Sequence, residues 1–218
     1  MKSIIVASFW LLCLYSCQMG NSKQKMNPSN MNSEAKIVNP KLDTCVLAGG
    51  CFWCLDAVYR QMKGVISVTS GYSNGKIANP TYREVCSGLT GCAEVVKIVF
   101  DQNQTSFQEI LTVFWRVHDP TTLNKQGNDE GTQYRSGIYY LNLEQKAIAQ
   151  ASLSAAAEAH LWPNPIVTEI LPLEKYSDAE DYHQNYYEYN PDQPYCIFVV
   201  GKKVDTFKKL FAEKLKQH

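Results

Sequence analysis

The chain has 218 residues, of which 45% are hydrophobic and 19% are charged, an ordinary globular composition that corresponds to about one domain. Lys and Arg together number 21, and so do Asp and Glu, so the formal net charge is zero. The chain therefore lacks the basic field that attracts nucleic-acid phosphates, and we expect no nucleic-acid partner.

The N-terminus has the pattern of an export signal. Lys2 is followed by an apolar run over residues 4–14, which is too short for a comfortable membrane span. The run ends in Leu14-Tyr15-Ser16-Cys17, which resembles the lipobox of bacterial lipoproteins. We expect residues 1–17 to be a lipoprotein-type signal peptide with lipidation at Cys17; a plain secretory signal with an incidental cysteine is the alternative. Either interpretation exports the protein, to the cell envelope or periplasm.

Residues 18–40 are rich in Asn, Ser and Lys and have no apolar period. This composition is typical of a flexible polar tether between the membrane and a folded domain. The sequence therefore predicts one domain over residues 41–218.

Apolar patterns and turn residues predict alternating strands and helices along this domain. Strands are predicted at residues 44–48, 65–70, 94–100, 136–141, 166–171 and 196–200. Helices are predicted from about Cys51 to Gly64, at 106–117 and 142–161, after a cap at 177–180, and from about Asp205 onward. Residues 121–133 form a long polar loop. The alternation predicts an α/β or α+β two-layer sandwich, with a mixed sheet flanked by helices.

The segment Gly49-Gly50-Cys51-Phe52-Trp53-Cys54 contains two thiols three positions apart, directly before a helical pattern. The N-terminus of a helix favours an anion, so this placement predicts a lowered pKa and a nucleophilic thiolate for Cys51. The glycine pair allows a tight turn and a close approach to a ligand.

Several functions are compatible with this Cys-x-x-Cys pair taken alone. One thiolate can attack and the second can then close a disulfide, as in a redox enzyme. A zinc site would require a second matched pair, whereas Cys86 and Cys92 lie six positions apart. A thioredoxin-type oxidoreductase and a pair of inert buried cysteines are also compatible with the spacing.

The Gly-Cys-Phe-Trp-Cys sequence at residues 50–54 closely resembles the signature of A-type peptide methionine sulfoxide reductases. The resemblance continues through motifs spread over residues 50–198: Ser70-Gly71-Tyr72, Asn79-Pro80-Thr81-Tyr82, Val85-Cys86-Ser87-Gly88, Ala93-Glu94-Val95-Val96, His118-Asp119-Pro120-Thr121, Gln126-Gly127-Asn128-Asp129, Gly131-Thr132-Gln133-Tyr134-Arg135-Ser136 and Asp181-Tyr182-His183-Gln184. It implies a fold related to the ferredoxin-like class and reduction of the S epimer of methionine sulfoxide in proteins.

The resemblance also implies a role for each matched residue. Cys51 matches the nucleophile that attacks the sulfoxide sulfur and becomes a sulfenic acid. Glu94 matches the carboxyl group that protonates the sulfoxide oxygen, which requires a raised pKa. The other matches are Tyr82 and Tyr134 as hydrogen-bond donors to that oxygen, Asp129 as an organising carboxylate, and Phe52 and Trp53 as the apolar wall for the S-methyl group.

The cysteine that closes the disulfide is implied by the resemblance to be Cys54, as in relatives whose motif carries the second cysteine. Cys86, Cys92 and Cys196 stay open as contributors, although Cys196 falls in a predicted buried strand. A thioredoxin-like protein would restore the thiols, and no bound metal or organic cofactor is implied. We expect a monomer. A general thiol-disulfide oxidoreductase and a non-enzymatic surface-binding lipoprotein are the competing hypotheses for the function.

Overall fold

A computed structural model describes residues 39–217 of the chain. The predicted signal peptide, Cys17 and nearly all of the predicted tether lie outside the described residues, so they stay predictions. No helix within residues 39–217 is long and apolar enough to cross a membrane.

A six-stranded sheet forms the centre of the domain. Its strands are β1 (Leu42–Gly49), β2 (Val65–Ser73), β3 (Ala93–Asp101), β6 (Ser136–Tyr140), β7 (Glu169–Pro172) and β8 (Ser177–Asp178). The order across the sheet is β7-β6-β1-β3-β2-β8. The β6–β7 pair is parallel and the other pairs are antiparallel, so the sheet is mixed, as the sequence predicts.

The six α-helices within residues 39–217 are α1 (Phe52–Tyr59), α2 (Tyr82–Cys86), α3 (Phe107–Val117), α4 (Leu143–Glu158), α5 (Tyr186–Tyr189) and α6 (Gly201–Leu210). Three of them, α2, α3 and α4, begin at a capping side chain, whereas the other three have no side-chain cap. The Ser106 hydroxyl accepts the Glu109 N–H at 3.2 Å, and the Asn142 side chain accepts the Gln145 N–H at 2.8 Å. Each cap satisfies a backbone N–H that the helix itself leaves without a partner.

The main core lies between one face of the sheet and the long helices. Leu47 and Ile98 project from the sheet into this core, where they join Leu55 of α1, Phe114 of α3 and Phe207 of α6. The opposite sheet face carries a smaller cluster, with Val46, Ala48, Ala93, Val95 and Tyr139 packed under Leu173 and Tyr176. Because β3 is a central strand that is buried on both faces, apolar residues occur at successive positions along it rather than at every second one.

The strand predicted at residues 196–200 is wrong. Cys196–Val200 is a π-helical turn that runs directly into α6, so the last helix also begins earlier than predicted. The buried residues Cys196, Val200, Val204 and Phe207 follow one another at spacings of four, four and three, which is a helical period. The short apolar run resembles a buried strand only when it is considered without the residues that follow it.

The helix predicted to start at residues 177–180 is also wrong. Ser177–Asp178 forms the edge strand β8, and a 3₁₀ turn follows at Asp181–His183. The Ala179 N–H donates to the Ser70 carbonyl at 2.9 Å, so the segment extends the sheet along β2. Backbone pairing with a neighbouring strand thus overrides the local capping pattern.

Four further elements are not predicted from the sequence or begin at a different residue. The short helix α2 follows the connection at residues 74–81, and the strands β4 (Lys125–Gln126) and β5 (Asp129–Glu130) form a hairpin inside the predicted polar loop. The strand β7 begins three residues later than predicted. These short elements have too few residues to show a period of their own.

Gly71 permits the close approach of β8 to β2, because a Cβ atom there would lie 2.5 Å from the Ser177 carbonyl oxygen. We expect Gly71→Ala to displace the edge segment and lower the free energy of unfolding by about 1–3 kcal/mol. Ser67→Ala, at an exposed position of the same strand, is the control and should change it by less than about 0.5 kcal/mol. Denaturant titration measures both, and equal effects of the two variants would contradict the role of Gly71.

Candidate active site

Cys51 lies in the sharp turn between β1 and α1, as the N-cap residue of the helix. Gly50 takes a positive φ of 88°, and the Gln126 side chain packs where its Cβ would be, so a larger residue would collide there. This turn directs Cys51 into the end of the main core, where 7% of its surface remains exposed. The glycine turn predicted from the sequence is therefore present.

The two thiols of the Cys-x-x-Cys pair share one helical turn. The Cys54 N–H donates to the Cys51 carbonyl at 3.1 Å, and the two thiols are close enough to shift each other's pKa. The interaction with the Cys51 thiol lowers the pKa of Cys54 to about 7, with the Lys203 ammonium adding to the effect against burial. Burial raises the pKa of Cys51 well above its ordinary value, and the interaction with Cys54 raises it further.

The predicted lowering of the pKa on Cys51 itself is therefore wrong for the substrate-free site. The pair therefore loses its first proton near pH 7 and its second only well above the ordinary pKa of a thiol, as expected of two strongly coupled groups. The N-terminus of α1 still favours a negative charge, but it stabilises that charge on the pair of thiols as a whole, which holds a single thiolate near neutral pH.

Glu94, the second residue of β3, reaches the first turn of α1. Its Oε2 accepts the Phe52 N–H at 3.0 Å, and only 1% of the residue is exposed. Burial raises the pKa of Glu94 to about 8, and the negative charges of Asp129 and Cys54 raise it while the Phe52 N–H opposes the shift. The carboxyl group thus keeps its proton near neutral pH, as the sequence predicts.

Tyr82 and Tyr134 are half-buried, and both lie near enough to Glu94 for its charge to affect them. Burial raises the pKa of both phenols, and the nearby charge of Glu94 raises both further. The charge of Cys51 also raises the pKa of Tyr134. Both hydroxyls therefore remain protonated hydrogen-bond donors.

Asp129 is held by a tyrosine that the sequence does not identify. The Tyr195 hydroxyl donates to Asp129 Oδ2 at 2.6 Å, and it also lies close enough to Cys51 and Cys54 to lower the pKa of both thiols. Tyr195 lies directly before Cys196, which is the first residue of the segment predicted as a strand. The helical spacing from Cys196 onward is the signal that would have placed Tyr195 at the start of a helix facing the thiols.

Phe52 and Trp53 form one aromatic wall of the site, with ring centroids 6.3 Å apart. Trp53 stacks on Tyr186 at 3.6 Å with an interplanar angle of 6°, and its edge meets Tyr195. The buried His183 ring packs 5.0 Å from Phe52. The wall is thus supported from behind by residues of the C-terminal segment.

The remaining cysteines occupy different places. All six cysteines within residues 39–217 are free, and Cys196 is buried near enough to Cys54 to feel its charge. Cys86 is exposed beside Tyr82, whereas Cys92 is buried against Gly75. Within the same residues no group of three or more His, Cys, Asp or Glu side chains is arranged to hold a metal ion.

The structure thus brings together every predicted site residue that it describes, and only Cys17 lies outside. A thiol pair, a protonated carboxyl and two phenols converge beside an apolar wall. This arrangement suits a substrate that has a polar oxygen on an electrophilic atom and a small apolar substituent on the same atom.

Comparisons with known proteins agree with this chemistry. Residues 43–215 match the family described as peptide methionine sulfoxide reductase. The peptide methionine sulfoxide reductase MsrA of Trichodesmium erythraeum is 51% identical over 174 residues, which cover 80% of this chain and 98% of that protein.

Two solved structures are similar to the chain. Methionine sulfoxide reductase A of Corynebacterium diphtheriae is 37% identical with a TM-score of 0.62, covering 70% of this chain and 77% of that chain. Mxr1 from Saccharomyces cerevisiae in reduced form is 33% identical with a TM-score of 0.64, covering 74% and 94% respectively. The fold class and the resemblance found in the sequence are both confirmed. The chain belongs to the A-type (MsrA) family of peptide methionine sulfoxide reductases.

Proposed function

We propose that this protein reduces the S epimer of methionine sulfoxide in oxidised proteins to methionine, with Cys51 as nucleophile and Glu94 as proton donor. Membership of the family supports the activity. The observation that carries the assignment of residues is the 3.0 Å bond from the Phe52 N–H to Glu94. It holds a carboxyl with a pKa of about 8 against the helical turn that contains both thiols.

The first step places the negative charge on the attacking sulfur. Cys51 gives its proton to the neighbouring Cys54 thiolate, and the resulting Cys51 thiolate attacks the sulfoxide sulfur. Glu94 gives its proton to the oxygen, while the hydroxyls of Tyr82 and Tyr134 donate hydrogen bonds to it. As the bond between the Cys51 sulfur and the substrate sulfur forms, the sulfur–oxygen bond breaks and the oxygen leaves as hydroxide. Hydroxide then attacks the Cys51 sulfur, the bond between the two sulfurs breaks with its electron pair on the substrate, methionine leaves, and Cys51 becomes a sulfenic acid.

The second step converts the sulfenic acid to a disulfide. Cys54, which now carries the Cys51 proton, attacks the sulfur of the Cys51 sulfenic acid and gives that proton to the leaving hydroxide. The S–S bond forms, the sulfur–oxygen bond breaks, and water leaves. Because the two residues share the first turn of α1, this turn has to unwind locally to reach disulfide geometry. A thioredoxin-like dithiol then supplies two electrons and restores both thiols.

The aromatic wall accounts for recognition of one epimer. Phe52 and Trp53 accept the S-methyl group, while the polar groups around Glu94 accept the oxygen. A sulfoxide of the opposite configuration would place its methyl group against the polar groups or its oxygen against the aromatic wall. Desolvating the oxygen without a partner costs about 1–3 kcal/mol, which is enough to discriminate strongly.

We also propose that the protein acts in the cell envelope, anchored by a lipid on Cys17. The apolar run that ends in the lipobox-like sequence supports this location, and the polar composition of residues 18–40 supports a tether. Oxidised envelope proteins would then be its substrates.

The activity is tested with the reduced domain and each epimer of a methionine sulfoxide peptide, without an added reductant. We expect one methionine per enzyme from the S epimer, together with the loss of two thiols, and none from the R epimer. Mass spectrometry of the peptide and thiol titration measure these quantities. Thiol loss without methionine would indicate a general thiol-disulfide oxidoreductase, and no reaction would favour a non-enzymatic role.

Replacing Cys54 by Ser separates the two steps. We expect Cys54→Ser still to form methionine once per enzyme, but at a lower rate because Ser cannot take up the Cys51 proton. It should lose steady-state turnover with a thioredoxin-like donor by at least about 100-fold, because the second thiol is absent. Cys92→Ser is the control, since this buried thiol contacts Gly75 rather than Cys54, and it should turn over normally. Unchanged turnover of the Cys54 variant would show that another cysteine closes the disulfide.

Replacing Glu94 by Gln tests the proton donor. We expect the rate of methionine formation to fall by about 10²–10⁴-fold, because the amide cannot give up a proton to the oxygen. In the unsubstituted protein the rate should rise as the thiol pair ionises near pH 7 and fall as Glu94 loses its proton above about pH 8. Single-turnover rates against pH measure both limbs, and the alkaline limb should be absent in the variant. An unchanged rate in Glu94→Gln would contradict the role.

A further inference from the structure

Glu180 lies on an edge segment that is fixed firmly to β2. The Gln184 side chain accepts the Ser70 N–H and donates to the Ser70 carbonyl, both at 2.9 Å, so it mimics a strand partner. The Ala179 N–H donates to the same carbonyl. The backbone on both sides of Glu180 therefore has a defined position relative to the sheet.

The Glu180 carboxylate bridges two elements of the active site. Its Oε1 accepts the Tyr82 N–H at 2.8 Å, and its Oε2 accepts the hydroxyl of the buried Tyr72 at 2.9 Å. Tyr72 belongs to β2, and Tyr82 is the first residue of α2. Burial opposes ionisation of Glu180, but these hydrogen bonds outweigh it and lower its pKa, so the group is a carboxylate.

The helix that carries Tyr82 depends on such an external contact. With five residues, α2 is too short to be stable by itself. Its own capping box joins Thr81 and Glu84 and leaves the Tyr82 N–H without a partner inside the helix. The Glu180 carboxylate supplies that partner, and its negative charge faces the favourable end of the helix.

We propose that Glu180 is a positioning residue that holds the Tyr82 phenol at the place of the sulfoxide oxygen. This inference rests on the proposed function, because it assigns to Glu180 an effect that is exerted through Tyr82. The sequence pattern suggests a helix cap for Glu180 within its own segment, whereas the carboxylate caps a different helix about 100 positions earlier in the chain.

A double-mutant cycle tests the proposal, with Glu180→Ala, Tyr82→Phe and the double variant compared in single-turnover methionine formation. We expect Glu180→Ala to lower the rate by about tenfold in the unsubstituted protein and by less than about twofold when Tyr82 is already Phe. Tyr134→Phe provides the matched control, because the Glu180 carboxylate bonds to Tyr72 and Tyr82 rather than to Tyr134. In that background Glu180→Ala should keep its full tenfold effect.

Glu180→Gln tests whether Glu180 acts by positioning Tyr82 rather than through its negative charge or through the stability of the fold as a whole. Its amide oxygen can accept the Tyr82 N–H while its amino group donates to the Tyr72 oxygen, so the rate should stay within about threefold of the original. If Glu180→Ala does not fold, as judged by circular dichroism, Glu180→Asp takes its place in the cycle, because the shorter side chain cannot span both contacts.

The proposal is overturned if Glu180→Ala has the same effect with and without the Tyr82 hydroxyl, if the coupling to Tyr134 is equally large, or if Tyr82→Phe is fully active. These results differ from a failure of the proposed function, in which the unsubstituted protein would form no methionine from the S epimer.

Discussion

The hydrogen bond from the Phe52 N–H to the Glu94 carboxyl group is the interaction on which the rest of the site depends. It joins the first residue of α1 to the central strand β3, in surroundings where both groups have left water. A buried donor without a partner would cost about 1–3 kcal/mol, so the helix start cannot easily shift away from the strand. Because the thiols lie on the same helical turn, their position relative to the carboxyl group is set by the same bond.

The electrostatics of the site follow from this arrangement. Glu94 is kept protonated chiefly by burial, and the interaction between the two thiols leaves one proton on the pair near neutral pH. If Glu94 were ionised, its charge would oppose the thiolate a short distance away. A neutral acid beside a single thiolate is therefore the arrangement that the low-dielectric pocket favours, and it is also the one that a proton-assisted attack on a sulfoxide requires.

The sequence predicts the part of the site formed by β1, α1 and β3, and it misses the part formed by the C-terminal segments. The glycine turn, the thiols and Glu94 lie in long strands and a helix with strong local patterns, and these patterns survive folding. Tyr195 and Glu180 lie in short C-terminal segments, where tertiary contacts decide the conformation. Ser177-Asp178-Ala179-Glu180 has the spacing of a helix cap, yet its backbone pairs with β2, because the exposed edge of a sheet offers more hydrogen bonds than one isolated helical turn. The pKa difference within the thiol pair likewise depends on a contact that spacing alone does not define.

The C-terminal part of the site is also stabilised by different contacts from the part formed by β1, α1 and β3. Tyr186 and Tyr195 support the aromatic wall from a segment without long regular elements, which follows the part that pairs with β2, and they do so through ring packing rather than through a backbone ladder. Such segments open locally at a lower free energy than central strands. The disulfide proposed between Cys51 and Cys54 needs the first turn of α1 to unwind, and Tyr195 and Trp53 are the neighbours that this motion disturbs. A rigid strand–turn–helix unit backed by a separately held C-terminal segment therefore allows the thiols to keep their geometry for attack and still change it for resolution.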